Sequence, residues 1–239
     1  VINNQMFHSS KNSGVEIPIK VVPHASDFSK FEKGYKKVDF SAPKDNFIFY
    51  TIADFNKRKN IEAFIKAFHS EFDPSEPVSI LIKTHKYGMS PDETALKIRD
   101  MCNSIKTNLK KFSKTEDYKE DLIVTSFVSD EDICNIHNSC DCFVMPSYGE
   151  AWCIPAFDAM GFGKTPICTN IGGMSDFIGH AGFLIEGVME PVFGMVDTFP
   201  NLFTGNEDWC SVNINGLKEC MRHAYENQDS LKNMKSEGL

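Results

Sequence analysis

Cys142-Phe143-Val144-Met145-Pro146-Ser147-Tyr148-Gly149-Glu150-Ala151-Trp152-Cys153-Ile154-Pro155-Ala156-Phe157-Asp158-Ala159-Met160 reads as a strand, a loop and a helix in direct succession. The apolar run Cys142–Met145 has the composition of a buried strand, Gly149 belongs to the loop, and Pro155 suits the first turn of a helix. Glu150 in the loop and Asp158 inside the helix, eight positions apart, bracket the helix N-terminus. Such an end presents unpaired backbone N–H groups and a positive partial charge, which favour phosphate, while carboxylates accept hydrogen bonds from hydroxyls. Acids for hydroxyls beside amides for phosphates suit a sugar nucleotide.

Outward from this stretch, apolar runs recur at Ile17–Val22, Phe47–Ile52, Ser79–Lys83, Leu122–Phe127, Pro166–Thr169 and, more weakly, Gly182–Ile185, and each reads as a buried strand. Helical patterns lie between them. Asn60–Phe72 carries apolar positions at Ile61, Phe64, Ile65, Ala67 and Phe68; Pro91–Phe112 carries Ala95, Ile98, Met101, Cys102, Ile105 and Leu109; Asp130–Asn138 is shorter. The alternation predicts an α/β, Rossmann-like parallel sheet with helices on both faces, whose ligand sites lie at the C-terminal ends of the strands. Ser29–Asp45 reads as a Lys-rich loop, Lys114–Asp121 as a charged turn, and Glu186–Trp209, with its Pro and Gly residues and no period, as an irregular insertion. Asn213–Met234 returns to helix.

Composition narrows the function classes. With 239 residues, 41% hydrophobic content and 20 Phe, the chain has ample material for a packed core, as one large α/β domain or two small ones. The formal charge is −8 and unevenly spread: residues 1–120 hold 20 Lys and Arg against 16 Asp and Glu, and residues 121–239 hold 5 against 17. Nucleic acid is therefore not the expected partner. The eight cysteines include no Cys-x-x-Cys pair and several lie in apolar runs, which reads as reduced core thiols. No run approaches the ~18–20 apolar residues of a membrane span, and the first residues lack a signal peptide's pattern, so a cytoplasmic location, or the cytosolic face of a membrane, is expected. The histidines show no His-Glu-x-x-His or comparable spacing and no Ser-His-Asp pattern is present, so no protein metal site and no covalent serine chemistry are expected.

The motifs resemble a known family. Gly149–Met160, followed by Gly163-Lys164-Thr165-Pro166-Ile167 and Gly172-Gly173-Met174-Ser175-Asp176, is similar in order and spacing to the Glu-(seven residues)-Glu signature of the glycogen-synthase-like retaining glycosyltransferases, the glycosyl transferases of group 1. Ile19–Asp27 resembles that family's entry strand and linker, Phe47–Asn60 the strand and loop ending in Arg-Lys-Asn, and Phe127–Ile133 the turn that contacts the base. The resemblance implies one half of a two-domain GT-B architecture: residues 1–16 as the end of a preceding domain or a linker, and 17–239 as the nucleotide-sugar-binding domain with its insertion at about 186–209. The chain opens on Val rather than Met, and an acceptor-binding domain is expected upstream of it. The implied reaction transfers a sugar from a nucleoside diphosphate sugar, UDP- or GDP-linked, to a hydroxyl of a glycan, lipid or other acceptor, with retention and without a metal or other cofactor.

Residue by residue, the resemblance implies that Glu150 contacts the donor sugar, Asp158 the ribose, and Phe127 and Val128 the base through the main chain. Lys59, with Arg58 and Lys57 beside it, lies between the strand at Phe47–Ile52 and the next helix, where a leaving diphosphate would be neutralised. Gly149, Ala151, Trp152, Cys153 and Ile154 would meet phosphate through backbone N–H groups. Lys83 and His85, at and just past the end of the strand Ser79–Lys83, stand behind these as candidates, since a strand-end Lys is usually a surface residue. Three departures stand out: Asp158 is one methylene shorter than the family's Glu, Cys153 replaces a Gly, and Ala53-Asp54 stands where Gly-Arg commonly opens the phosphate loop. Two rival functions remain open, a sugar-nucleotide epimerase on the same fold and a non-catalytic nucleotide-binding or interaction module.

Overall fold

The computed structural model describes residues 1–195 and 203–228. Its elements in chain order are α1 (Asn4–Asn12), α2 (Ser29–Glu32), β1 (Phe47–Asp54), α3 (Ile61–Glu71), β2 (Val78–His85), α4 (Pro91–Leu109), β3 (Asp121–Val124), α5 (Asp130–Ser139), β4 (Cys142–Met145), α6 (Ile154–Gly161), β5 (Thr165–Thr169), α7 (Met174–Phe177), β6 (Phe183–Ile185), β7 (Gly187–Pro191), β8 (Asp208–Val212) and α8 (Ile214–Glu226).

β1 to β6 form one parallel sheet in the order β3-β2-β1-β4-β5-β6. All of β1 but Asp54 is buried, as expected of a strand covered on both faces. Successive residues point to opposite faces. Phe49 therefore packs on Phe68 of α3 and on Phe72 just after it, whereas Tyr50 packs on Phe143 and shares a hydrogen bond with His137 Nδ1 of α5 at 2.7 Å. Arg222 ties α8 to α3, its guanidinium reaching Glu71 and Glu76 and lying 4.6 Å from the Phe72 ring centre. Ser90 with Glu93 and Ser129 with Asp132 form capping boxes that start α4 and α5 at the predicted places. The strand order reverses direction between β1 and β4, and the crevice outside their C-terminal ends is where an open α/β sheet receives a ligand.

Three expectations are corrected. Ile17–Val22 is not a strand: Pro18 and Pro23 remove ladder donors, Ile17 and Val22 are 71% and 60% exposed, and the segment bonds to Val1 and to the Lys11 side chain rather than to the sheet. The flanks of the Glu186–Trp209 segment are regular, because β7 and β8 pair antiparallel with Gly187 opposite Val212 and Pro191 opposite Asp208; residues 196–202 lie outside the described residues. α4 stops at Leu109 rather than Phe112, since Lys110 turns left-handed at φ 54°. α8 is described to Glu226, and the remainder of the Asn213–Met234 expectation from residue 229 lies outside the described residues. Six of the eight cysteines are buried. Among the described residues no helix is long and apolar enough to cross a membrane.

Candidate active site

Two strand-to-helix loops meet at the switch point. After β1 the chain makes a short 3₁₀ turn at Lys57–Lys59, held by the Asn56 side chain accepting from Lys59 N. Asn60 then takes a left-handed conformation at φ 51°, which Asn tolerates better than most residues, and α3 begins. The second loop, Pro146–Cys153, leaves β4 and enters α6. The loops are bonded to each other through Tyr148 N to Arg58 O at 2.9 Å and Asn60 Nδ2 to Pro146 O at 3.0 Å.

This juxtaposition brings four of the sequence-predicted residues together. Glu150 Oε1 lies 2.6 Å from Lys59 Nζ and 3.0 Å from the Arg58 guanidinium, which also donates to Gly149 O at 2.6 Å. The Glu150 and Lys59 side chains are only 7% and 12% exposed, so this pair is screened little by solvent. Two cations on one carboxylate leave a net positive cluster at the mouth of α6. The first helical bond there runs from Ala156 N to Cys153 O, so the amides of Trp152, Cys153 and Ile154 precede it. Cys153 sits at φ 67°, ψ 67°, in the region where glycine is at home, so its side chain costs ~1–2 kcal/mol at that turn. Burial, with Glu150 nearby, pushes its thiol up to about 12, which makes it a neutral core group rather than a nucleophile. The Trp152 ring packs on Phe157 and Phe177, leaving its amide as the group available to a ligand.

The remaining predicted residues are arranged around this cluster rather than within it. Lys57 turns toward Glu62 at 3.4 Å and the Tyr148 ring. Asp158, on α6, pairs with Lys30 Nζ of α2 at 2.5 Å. Phe127 is 72% exposed beyond the end of β3, Val128 is half-buried beside it, and the Phe127 ring lies 5.6 Å from that of His85. His85 in turn meets Asp54 at 3.0 Å, the acid that stands where the family commonly carries Arg. Among the described residues no group of three or more His, Cys, Asp or Glu side chains is placed to hold a metal.

Several supporting contacts escaped the sequence reading. Gly172, at φ +63°, lies so close to Glu150 that a Cβ there would stand 1.8 Å from its carbonyl oxygen, and Gly173 N donates to the same oxygen at 3.4 Å. The fully buried Asn3 donates to Ala151 O, and Gln5 Oε1 accepts from Gly172 N at 2.6 Å, so the start of α1 braces the Glu150 loop and the Gly172 turn. The Tyr148 ring stacks on Trp209 of β8 at 4.0 Å, and Cys210 N donates to Tyr148 O, which docks the β7–β8 arm on the same loop. The doubled glycine at 172–173 was the one sequence signal for these contacts; the rest join residues far apart in the chain.

Comparison with known proteins bears on the fold and the family. The family model described as "Glycosyl transferases group 1" matches residues 34–191. The serotype-specific mannosyltransferase WbdA of Escherichia coli is 30% identical over 138 residues, which is 56% of this chain and 15% of that protein. The chain thus spans only about a sixth of the length of the curated relatives it matches. The crystal structure of the C-terminal domain of a glycosyl transferase group 1 family protein (LpcC) from Francisella tularensis superposes with a TM-score of 0.61 at 14% identity, covering 90% of this chain and 94% of that one. Anabaena Alr3699/HepE in complex with UDP-glucose gives a TM-score of 0.58 at 16% identity over 92% of this chain and 51% of that one. At these identities the structural likeness is one of fold. The family match covers well over half of the chain, and the chain belongs to the glycosyl transferases group 1 family.

Proposed function

We propose that this chain is the donor-binding domain of a retaining, metal-independent glycosyltransferase, and the observation that carries the reading is the Arg58–Lys59–Glu150 cluster at the switch point beside the N-terminus of α6. The chemistry follows from what these groups can do. A nucleoside diphosphate sugar entering the crevice places its diphosphate against Lys59, Arg58 and the α6 amides, which neutralise charge in place of a metal ion. Glu150 accepts hydrogen bonds from the sugar hydroxyls and, being anionic and nearly buried, favours positive charge developing at the anomeric carbon. The bond from that carbon to the β-phosphate oxygen breaks with its electron pair going to the phosphate. The acceptor hydroxyl oxygen bonds to the same face of the carbon, and its proton passes to the leaving phosphate oxygen. No covalent enzyme nucleophile is required, and Cys153 is unsuited to be one.

The donor is a UDP- or GDP-linked sugar, supported by the complex of the fold relative HepE with UDP-glucose, and a hexosyl group is supported by the mannosyltransferase relatives. The acceptor, a glycan, lipid or other hydroxyl, would be held by a second domain preceding residue 17, with residues 1–16 as the join. Asp158 meets the ribose only after release from Lys30. That pair and the Asp54–His85 pair at the strand ends favour one second reading, a module that binds nucleotide without turning it over. Calorimetric titration of the chain with UDP-, GDP- and ADP-linked sugars tests the main claim. Saturable binding to one of them is expected, and absence of binding to all of them would overturn it. Donor that binds a full-length enzyme but is never consumed, with acceptor supplied, selects the second reading.

A further inference from the structure

Lys83 was expected at the surface, yet the structure buries it to 4% exposure on β2. Its ammonium donates to Ser126 O at 3.0 Å, and among the described residues no carboxylate pairs with it. An ammonium carries three N–H donors, so one protein carbonyl leaves it under-satisfied. Burial alone pulls its pKa down, the mark of a charge held where the fold gives it little in return. A methionine would fill the same volume without that cost, so the retained amine points to a ligand.

The sheet shows which part of a ligand it meets. In the order β3-β2-β1-β4, the β4 loop carries Glu150, the turn after β1 carries Lys59, β2 carries Lys83, and β3 leads through Ser126 to Phe127 and Val128. Neighbouring strands stand ~4.8 Å apart, so this row spans ~14 Å, the reach of an extended sugar nucleotide from sugar to base. The diphosphate falls at the β1 end and the base at the β3 end. Lys83 lies toward the base, next to the carbonyl that precedes the base turn. His85, two residues on and on the same face of the sheet, sets its ring beside the exposed Phe127 ring, and the two form an aromatic shelf at the rim. The ammonium, bonded to the carbonyl of the residue before Phe127, would meet the edge of a base seated against these rings.

We infer that Lys83 is a specificity-determining residue of the donor site, donating to the exocyclic carbonyl oxygen of a keto base, guanine or uracil, and selecting against adenine. The inference rests on the donor-binding reading above. Adenine presents an amino donor where guanine and uracil present an acceptor, so it leaves the buried ammonium unmet. Discrimination of this kind is strong because a buried polar group left without its partner carries the full desolvation penalty.

The test is calorimetric titration of the chain with GDP, UDP, ADP and inorganic pyrophosphate, in wild type, Lys83→Met and Lys83→Gln. Wild type is expected to bind GDP or UDP at least tenfold more tightly than ADP. Lys83→Met is expected to weaken that nucleotide tenfold or more while changing ADP and pyrophosphate by less than twofold, and its urea midpoint is expected to equal or exceed that of wild type. Lys83→Gln, which keeps a donor without the charge, is expected to fall between the two and serves alone if the methionine variant does not fold. Unchanged keto-nucleotide binding in the variants would overturn the inference while leaving the donor site intact. A parallel loss of all four probes would also overturn it, assigning the ammonium to phosphate. Wild type that binds none of the four would sink the donor-binding reading together with it.

Discussion

Substitution of Gly172 by Ala is a sharp probe of how the Glu150 loop is held. The residue sits at φ +63°, and an added Cβ would stand 1.8 Å from Glu150 O and 2.9 Å from its carbonyl carbon. A carbon and a carbonyl oxygen approach comfortably to about 3.3 Å, so the two loops must part by roughly 1.5 Å. The left-handed backbone costs an L-residue ~1–2 kcal/mol. Parting the loops also breaks the bonds from Gly173 N to Glu150 O and from Gly172 N to Gln5 Oε1, at about 0.5–1.5 kcal/mol each. The sum is about 2–5 kcal/mol of stability. The displacement also draws Glu150 away from Lys59, now 2.6 Å distant, and a misplacement of about 1 Å in catalytic geometry costs on the order of 100-fold in rate. Gly179 supplies the control, because it too has positive φ, at +50°, but a Cβ there meets nothing within 4 Å. Gly179→Ala should cost only the backbone term, ~1–2 kcal/mol, and leave turnover near wild type. Urea denaturation of both variants, with transfer rates measured in full-length enzyme on the donor that wild type consumes, separates the two. If Gly172→Ala matches Gly179→Ala in stability and in rate, the close approach to Glu150 does not hold the loop and the reasoning fails.

Two further outcomes are expected. In full-length enzyme, Glu150→Gln should depress turnover far more than donor affinity, because its charge acts on the transition state, whereas Lys59→Ala should damage both; kinetics and donor titration showing the opposite pattern would reverse the roles assigned here. Acid should destabilise the fold beginning below pH 6.5, the ordinary histidine value. Burial lowers the His69 pKa and pulls that of His137 down to about 3, so the unfolded chain takes up these protons first and stability falls as pH drops. Burial would raise Asp121, but its bonds to His69 at 2.7 Å and Lys106 at 2.5 Å hold it below 3.8, so its contribution, present above that pH, is lost as pH falls further. Unfolding free energies from urea titrations at pH 7.5 and 5.5 should differ by about 1–2 kcal/mol from His137 alone, and a flat profile would refute the neutral, buried assignment.

Much of the architecture could be read from local patterns, because the information is local. Continuous apolar runs such as Phe47–Ile52 mark strands buried on both faces, and Ser90 with Glu93 marks a helix start through bonds spanning three residues. The same logic failed at Ile17–Val22, where an apolar run finds no neighbouring strand, and across Glu186–Trp209, where β7 and β8 recognise each other only by pairing.

At the site, the residue types and spacing of Gly149–Asp158 and Lys57–Lys59 were enough to mark an acid, a helix mouth and a basic turn as candidates. Their pairing was not legible, since the contact of Lys59 and Arg58 with Glu150 joins residues 91 and 92 positions apart through the parallel order of β1 and β4. Lys83 shows the limit most plainly: as a letter at a strand end it is an ordinary surface lysine, and only the neighbouring strand and the elements covering that face remove it from water. The sequence by itself determined the fold class and the family, and marked an acid and a basic turn as candidates. Tertiary structure alone decided which charges face one another and which are buried, because burial and ion pairing depend on the distances that chain crossovers create rather than on neighbours along the chain.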